Sequence, residues 1–102
     1  MYKPMDADKA LSIIRECLAD GRYRVLRHFT KRMDRRGLFW ADVLAVIDDP
    51  KSVEGGGVDK YHRPKWIIEG KAADELPLEI VCVLDHAEGD DETVFITLYW
   101  KD

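Results

Sequence analysis

The sequence predicts an α+β domain in which N-terminal helices lead and pack on a C-terminal antiparallel β-meander of about four strands, all within residues 1–102. Three observations predict it. Apolar residues recur at helical spacing through the first half, the pattern turns to period two after Pro50, and the later apolar runs are joined by short links that favour antiparallel pairing. A chain of 102 residues suffices for one core and not two. Its 46% hydrophobic and 35% charged residues are those of an ordinary globular protein. No repeat, low-complexity tract or composition break divides it.

The first helix is expected from about Asp6 to Asp20. Asp6 or Asp8 can cap its first amides, Ala10, Leu11, Ile14, Cys17 and Leu18 form its apolar stripe, and Gly21 can close it. Tyr23 to Leu26 alternates arginine with apolar residues and reads as a short edge strand. A second helix follows over His28 to Arg36 and ends at Gly37. Trp40, Val43, Leu44 and Ile47 stand at i, i+3, i+4 and i+7, which predicts a third helix stopped by Asp49-Pro50.

Val53 opens the strand region, and Gly55-Gly56-Gly57 reads as a flexible hairpin loop; nothing after it resembles a phosphate-binding loop. Strands are then expected over Tyr61 to Gly70, Leu78 to Asp85 and Thr93 to Trp100, the last two joined by the acidic turn His86 to Glu92. On the final strand strict alternation places Phe95 with Tyr99 on one face, and Val94, Ile96 and Leu98 on the other. One face must cover the helices, leaving the other to form a groove.

Charge is unevenly spread. The net charge of −4 argues against a generally sticky nucleic-acid binder. Yet Arg22, Arg24, Arg27, Lys31, Arg32, Arg35 and Arg36 face only Asp34 between residues 22 and 37, a local charge of +6 that leaves −10 for the rest. On a helix His28, Arg32 and Arg35 fall in one narrow sector, with Arg27 and Lys31 beside them. Phe29 and Met33 fall on another side and would anchor the helix to the sheet. The plain alternative is a solvated basic face paired with the acidic body.

Cys17 and Cys82 sit on apolar faces and read as reduced, buried thiols, so Cys82 is not expected to be a nucleophile. His62 and His86 read as surface residues. No CxxC, HxH or HExxH spacing appears, so neither a metal nor a cofactor is expected. Met1 to Lys9 lacks the apolar run of a signal peptide, and no stretch is apolar enough to span a bilayer, so the expected compartment is the cytoplasm.

His28, Arg32, Arg36-Gly37, Asp49-Pro50, Arg63 and the strand Ile96-Thr97-Leu98-Tyr99 together resemble the family called domain of unknown function 4258, which is similar to the RelE/BrnT-type toxin fold. The resemblance runs from about Tyr23 to Trp100. Leu38-Phe39-Trp40 departs from it, because a capping serine or threonine is usual there. What the resemblance implies is a single RelE-like domain acting as a metal-independent endoribonuclease of a toxin–antitoxin system, with RNA, including ribosome-bound messenger, as substrate and a cognate antitoxin protein as partner. It implies His28 as the group that exchanges a proton, Arg32 and Arg63 as the cations on the phosphate, and Tyr99 as an assisting residue on base or phosphate. Arg27, Lys31, Arg35 and Arg36 would grip the RNA backbone. Two other readings stay open. One is a noncatalytic module that uses the basic helix 27–36 to bind RNA or an acidic protein. The other is an assembly domain whose sheet edge or Phe39-Trp40 pair meets a second copy, giving a homodimer, or a cognate partner protein.

Overall fold

The computed structural model describes residues 5–86 and 90–101. Three helices, α1 (Ala7–Asp20), α2 (Arg27–Arg36) and α3 (Trp40–Asp48), accompany strands β1 (Tyr23–Val25), β2 (Pro50–Val58), β3 (Pro64–Lys71), β4 (Pro77–Asp85) and β5 (Glu92–Trp100). The sheet order is β1-β5-β4-β3-β2. The meander β2 to β5 is antiparallel throughout, while β1 lies parallel to β5 at one edge. The fold is thus α+β with a mixed, five-stranded sheet.

Local chemistry accounts for the helix ends. The Asp6 carboxylate accepts from the Lys9 N–H at 2.8 Å, and Gly21 closes α1 at φ 73°, a left-handed turn that glycine enters without steric cost. At α3, where Leu38-Phe39-Trp40 offers no capping hydroxyl, the cap is supplied from inside the helix: Asp42 Oδ2 accepts from the Phe39 N–H at 2.8 Å. Its Oδ1 accepts from the Ala73 N–H at 3.0 Å, which ties the helix to the β3–β4 turn. At the other end Arg15 of α1 donates to the carbonyl oxygens of Ile47 and Asp48 at 3.0 Å each, satisfying carbonyls that the helix leaves open.

The core lies between the helices and one face of the sheet. Ala10, Ile14, Phe29, Val43, Val46 and Ile47 meet Trp66, Ile68, Ile80, Cys82, Phe95 and Leu98. On α3 the buried arc is Val43, Val46 and Ile47, whereas Leu44 is exposed, contrary to the expected stripe. The Asp42–Ala73 bond explains the rotation, since it draws the Asp42 side of the helix inward.

Two further expectations are corrected. The glycine triplet is not a loop: Gly55, Gly56 and Gly57 belong to β2, and the chain turns over Asp59 to Arg63. Gly57 has φ 82° within a register shift between Gly55 and Val58, so it forms a bulge, and a Cβ on Gly56 would stand 3.1 Å from Ile67 Cδ1. A second irregularity lies opposite, between Val81 and Cys82: Val81 pairs with Thr97 but Cys82 with Phe95, leaving Ile96 as the extra residue. Phe95 and Leu98 therefore face the helices, while Thr97 and Tyr99 face away, which reverses part of the alternation expected for β5. The acidic turn before β5 lies partly outside the described residues.

Candidate functional site

Helix α2 begins directly after the edge strand, because β1 pairs with β5 and the Leu26 N–H donates to the Phe95 carbonyl oxygen at 3.1 Å. Phe29, fully buried against Phe95 with ring centroids 5.6 Å apart, and the partly buried Met33 pin one side of the helix to the core. The opposite side is left to solvent, with Arg27, His28, Lys31, Arg35 and Arg36 exposed and Arg32 half-buried.

Two groups on that side touch. Arg32 Nε donates to His28 Nε2 at 3.2 Å, one helical turn away. That bond uses the lone pair on Nε2, so it exists only while the imidazole is neutral and carries its proton on Nδ1. Among the described residues no carboxylate lies within ion-pair distance of Arg27, Lys31, Arg32, Arg35 or Arg36. The positive charge of α2 is therefore not neutralised by the acidic body. Arg22 and Arg24, which precede the helix, are different. Arg22 pairs with Asp20 at 3.0 Å, and Arg24 with Glu92 at 2.7 Å.

The structure places the other two candidate catalytic residues elsewhere. Arg63 ends the β2–β3 turn, with its Nε 2.8 Å from Asp59 and its Nη1 3.0 Å from Asp85. All three side chains are more than four-fifths buried. Burial alone would lower the Arg63 pKa; the hydrogen bonds to Asp59 and Asp85 outweigh it and raise it. The same bonds hold Asp59 below its ordinary value against its own burial, with the N–H groups of Arg63 and Tyr61 adding to them. Tyr99 donates to Glu79 Oε1 at 2.6 Å, and this bond, with burial behind it, raises its phenolic pKa. Glu79 also meets Lys101 at 3.1 Å, and Lys101 meets Glu69 at 2.9 Å. Of the four candidate catalytic residues, then, only His28 and Arg32 meet, while Arg63 and Tyr99 are each committed to carboxylates.

The face of the sheet turned away from the helices carries a groove of about 1310 Å³, on the side where the strand pattern leaves room for one. Its lining includes Arg24, Leu26 and Arg63 but not His28, Arg32 or Tyr99. Leu26 is the N-cap residue of α2, so groove and basic helix adjoin. His62 and His86 are exposed, as expected, with His86 Nδ1 2.9 Å from Asp91. Cys17 and Cys82 are free and buried. Among the described residues no group of three His, Cys, Asp or Glu side chains could hold a metal ion, and no helix is long and apolar enough to cross a membrane.

Residues 25–100 match the family described as Domain of unknown function (DUF4258). The chain belongs to that family. No curated protein and no solved structure matches it. The DUF4258 region begins at Val25 and so takes in the whole of α2, the turn that holds Arg63, and the strand that holds Tyr99. Only α1 and most of β1 precede it.

Proposed function

We propose that this DUF4258 protein is an RNA-directed domain of RelE-like toxin type, which grips phosphates on α2 and cleaves the chain at His28. The observation that carries the reading is the His28–Arg32 contact set among cations that have no carboxylate partner in the described structure. A planar guanidinium binds a phosphate through two donors at once, which an imidazole acceptor cannot match. When a phosphate takes Arg32, His28 Nε2 is released and can accept the proton of the adjacent ribose 2′-hydroxyl. The 2′-oxygen then attacks phosphorus, the bond to the 5′-oxygen breaks, and that oxygen leaves with a proton from solvent, giving a 2′,3′-cyclic phosphate. Arg32 stays on the phosphate as negative charge builds there. A positioned base of this kind contributes about 10²- to 10⁴-fold.

A second reading is favoured by a separate observation. Arg63 is held by Asp59 and Asp85, and Tyr99 by Glu79, so neither is presented to a phosphate. On that reading the protein binds RNA through α2 without cutting it. The test is cleavage of end-labelled single-stranded RNA in EDTA by wild type, His28→Ala and Arg32→Ala, with and without translating ribosomes, beside a binding measurement on the same RNA. Cleavage lost in His28→Ala with binding retained supports the enzyme. Binding through Arg32 with no cleavage by wild type under either condition supports the binding module, and neither binding nor cleavage removes both.

A further inference from the structure

Pairing across the helix-free face sets its chemistry. Arg24, Val94, Val83 and Lys65 form one cross-strand row, Thr97, Val81 and Ile67 the next, and Tyr99, Glu79 and Glu69 the third. The bulge adds Ile96 to the middle row. The middle row is thus mostly aliphatic, flanked by a row of two valines between Arg24 and Lys65 and by the row of Tyr99, Glu79 and Glu69, while the helices of the described residues pack on the other face.

The wall of the groove is already built. Asp59 Oδ1 accepts from the N–H groups of Tyr61 and Arg63 at 3.0 and 2.8 Å, while Arg63 binds Asp59 and Asp85 with its side chain. Tyr61, which is 62% exposed, stands at the rim with the Arg63 guanidinium 5.0 Å from its ring centre. A turn held by so many bonds loses little freedom when a partner arrives, which lowers the cost of docking.

Size and charge select the partner. At about 1310 Å³ the groove exceeds the roughly 300–1,000 Å³ usual for small-molecule sites and opens along the sheet. Its floor is aliphatic and offers no stack of aromatic planes for nucleobases, and among the described residues Thr97 Oγ1 is buried without a partner. Arg63 is matched by Asp59 and Asp85, whereas Lys60 and Lys65 have no ion pair among the described residues, so the charge left open at the rim is positive.

We infer that this groove docks an acidic segment of a partner protein, its apolar side chains lying along Ile67, Val81 and Ile96 and its carboxylates meeting Lys60 and Lys65. The inference does not depend on RNA binding at α2, which is a different surface.

The full chain is used as bait for a phage-displayed library of random peptides of roughly 16 residues, long enough to cross the sheet as a helix of about 24 Å. Enriched peptides are then titrated into methyl-labelled protein. The expected result is a consensus rich in leucine, isoleucine or phenylalanine with surplus aspartate and glutamate. Such peptides shift the methyl signals of Val81, Val94 and Ile96, leave α2 unmoved, and bind about tenfold more weakly to Lys60→Glu/Lys65→Glu. That double variant replaces no buried residue, and Ile96→Asp, checked like it for folding by circular dichroism, repeats the test from the floor. No enrichment over an unrelated bait of equal charge overturns the inference. So do basic consensus peptides, shifts confined to α2, groove shifts produced instead by single-stranded oligouridylate, or a groove covered by a second copy in sedimentation equilibrium.

Discussion

Phe95 and Tyr99 stand four residues apart on β5 yet face opposite sides of the sheet, because the extra residue Ile96 interrupts their alternation. Phe95 lies in the core, with Trp40, Phe29 and Tyr23 ring centroids 5.4, 5.6 and 6.2 Å away. Tyr99 makes one hydrogen bond on the open face. Their substitutions should therefore differ widely. Phe95→Ala is expected to cost about 3–5 kcal/mol, the range for emptying an aromatic site. Tyr99→Phe should cost about 0.5–1.5 kcal/mol, with Lys101 still holding Glu79. Urea unfolding followed by tryptophan fluorescence checks both, and equal losses would mean that the bulge is misplaced.

What could be read from the sequence was what short-range chemistry decides. Asp6, Gly21, Gly37 and Asp49-Pro50 mark helix ends through their own caps and dihedral angles, so the three helices were legible to within a residue or two. The neighbours His28 and Arg32 were legible for the same reason, since one helical turn brings i and i+4 together. The bulge was not. Val94 to Leu98 contains apolar residues at nearly every step, so either register buries a credible set, and only the partner strand decides. The setting of Arg63 was equally hidden, because Asp85 is brought to it from 22 positions away by the β3–β4 pairing. Glycine misled in its own way: three in succession suggest a loop, yet here one forms a bulge and another lets Ile67 close over the strand.

Gly70 should be intolerant for reasons of space. A Cβ there would meet Val46 Cγ1 at 3.1 Å and the Asp49 carbonyl oxygen at 3.4 Å, where α3 passes into β2. The backbone oxygen cannot swing aside as a side-chain end can. Gly70→Ala is expected to cost about 1–3 kcal/mol as overpacking. Gly56→Ala should cost less, because its nearest obstacle is the mobile end of Ile67. Thermal denaturation of the two variants gives the comparison.

Acid should loosen the β2–β3 turn first. Asp59 titrates below its ordinary value of 3.8, so the folded state binds its proton more weakly than the unfolded chain does. The stability it contributes is fully present above that ordinary value and is lost as pH falls through the depressed one. Glu69, lowered chiefly by its hydrogen bond from Lys101, acts in the same direction. Asp59→Asn should therefore be less stable than wild type near neutral pH, and the difference should shrink below about pH 4. A constant difference across that range would mean that Asp59 contributes shape rather than charge.

Neither thiol should be reactive in the folded protein. Burial, with Cys17 nearby as a lesser cause, pushes the Cys82 thiol up to about 12, so almost no thiolate exists at pH 8. Both cysteines are buried. Ellman's reagent should release close to two equivalents in guanidinium chloride and almost none under native conditions. Rapid reaction of the native protein would show that the core opens between β4 and α1.

RNA binding by α2 should carry a distinct salt dependence. If Arg27, Lys31, Arg32, Arg35 and Arg36 meet phosphates, each contact releases counterions, and log K falls with log salt by about 0.7 per contact for a single strand. Removing one cation that truly touches phosphate, as in Arg35→Ala, should weaken binding for every RNA sequence and reduce that slope by about 0.7. Arg22→Ala should leave the slope unchanged, because its guanidinium is already paired with Asp20 at 3.0 Å. Arg22 therefore separates a specific interface on α2 from diffuse attraction to the whole basic segment. Equal loss of slope in the two variants would assign binding to overall charge and remove α2 as the reading element.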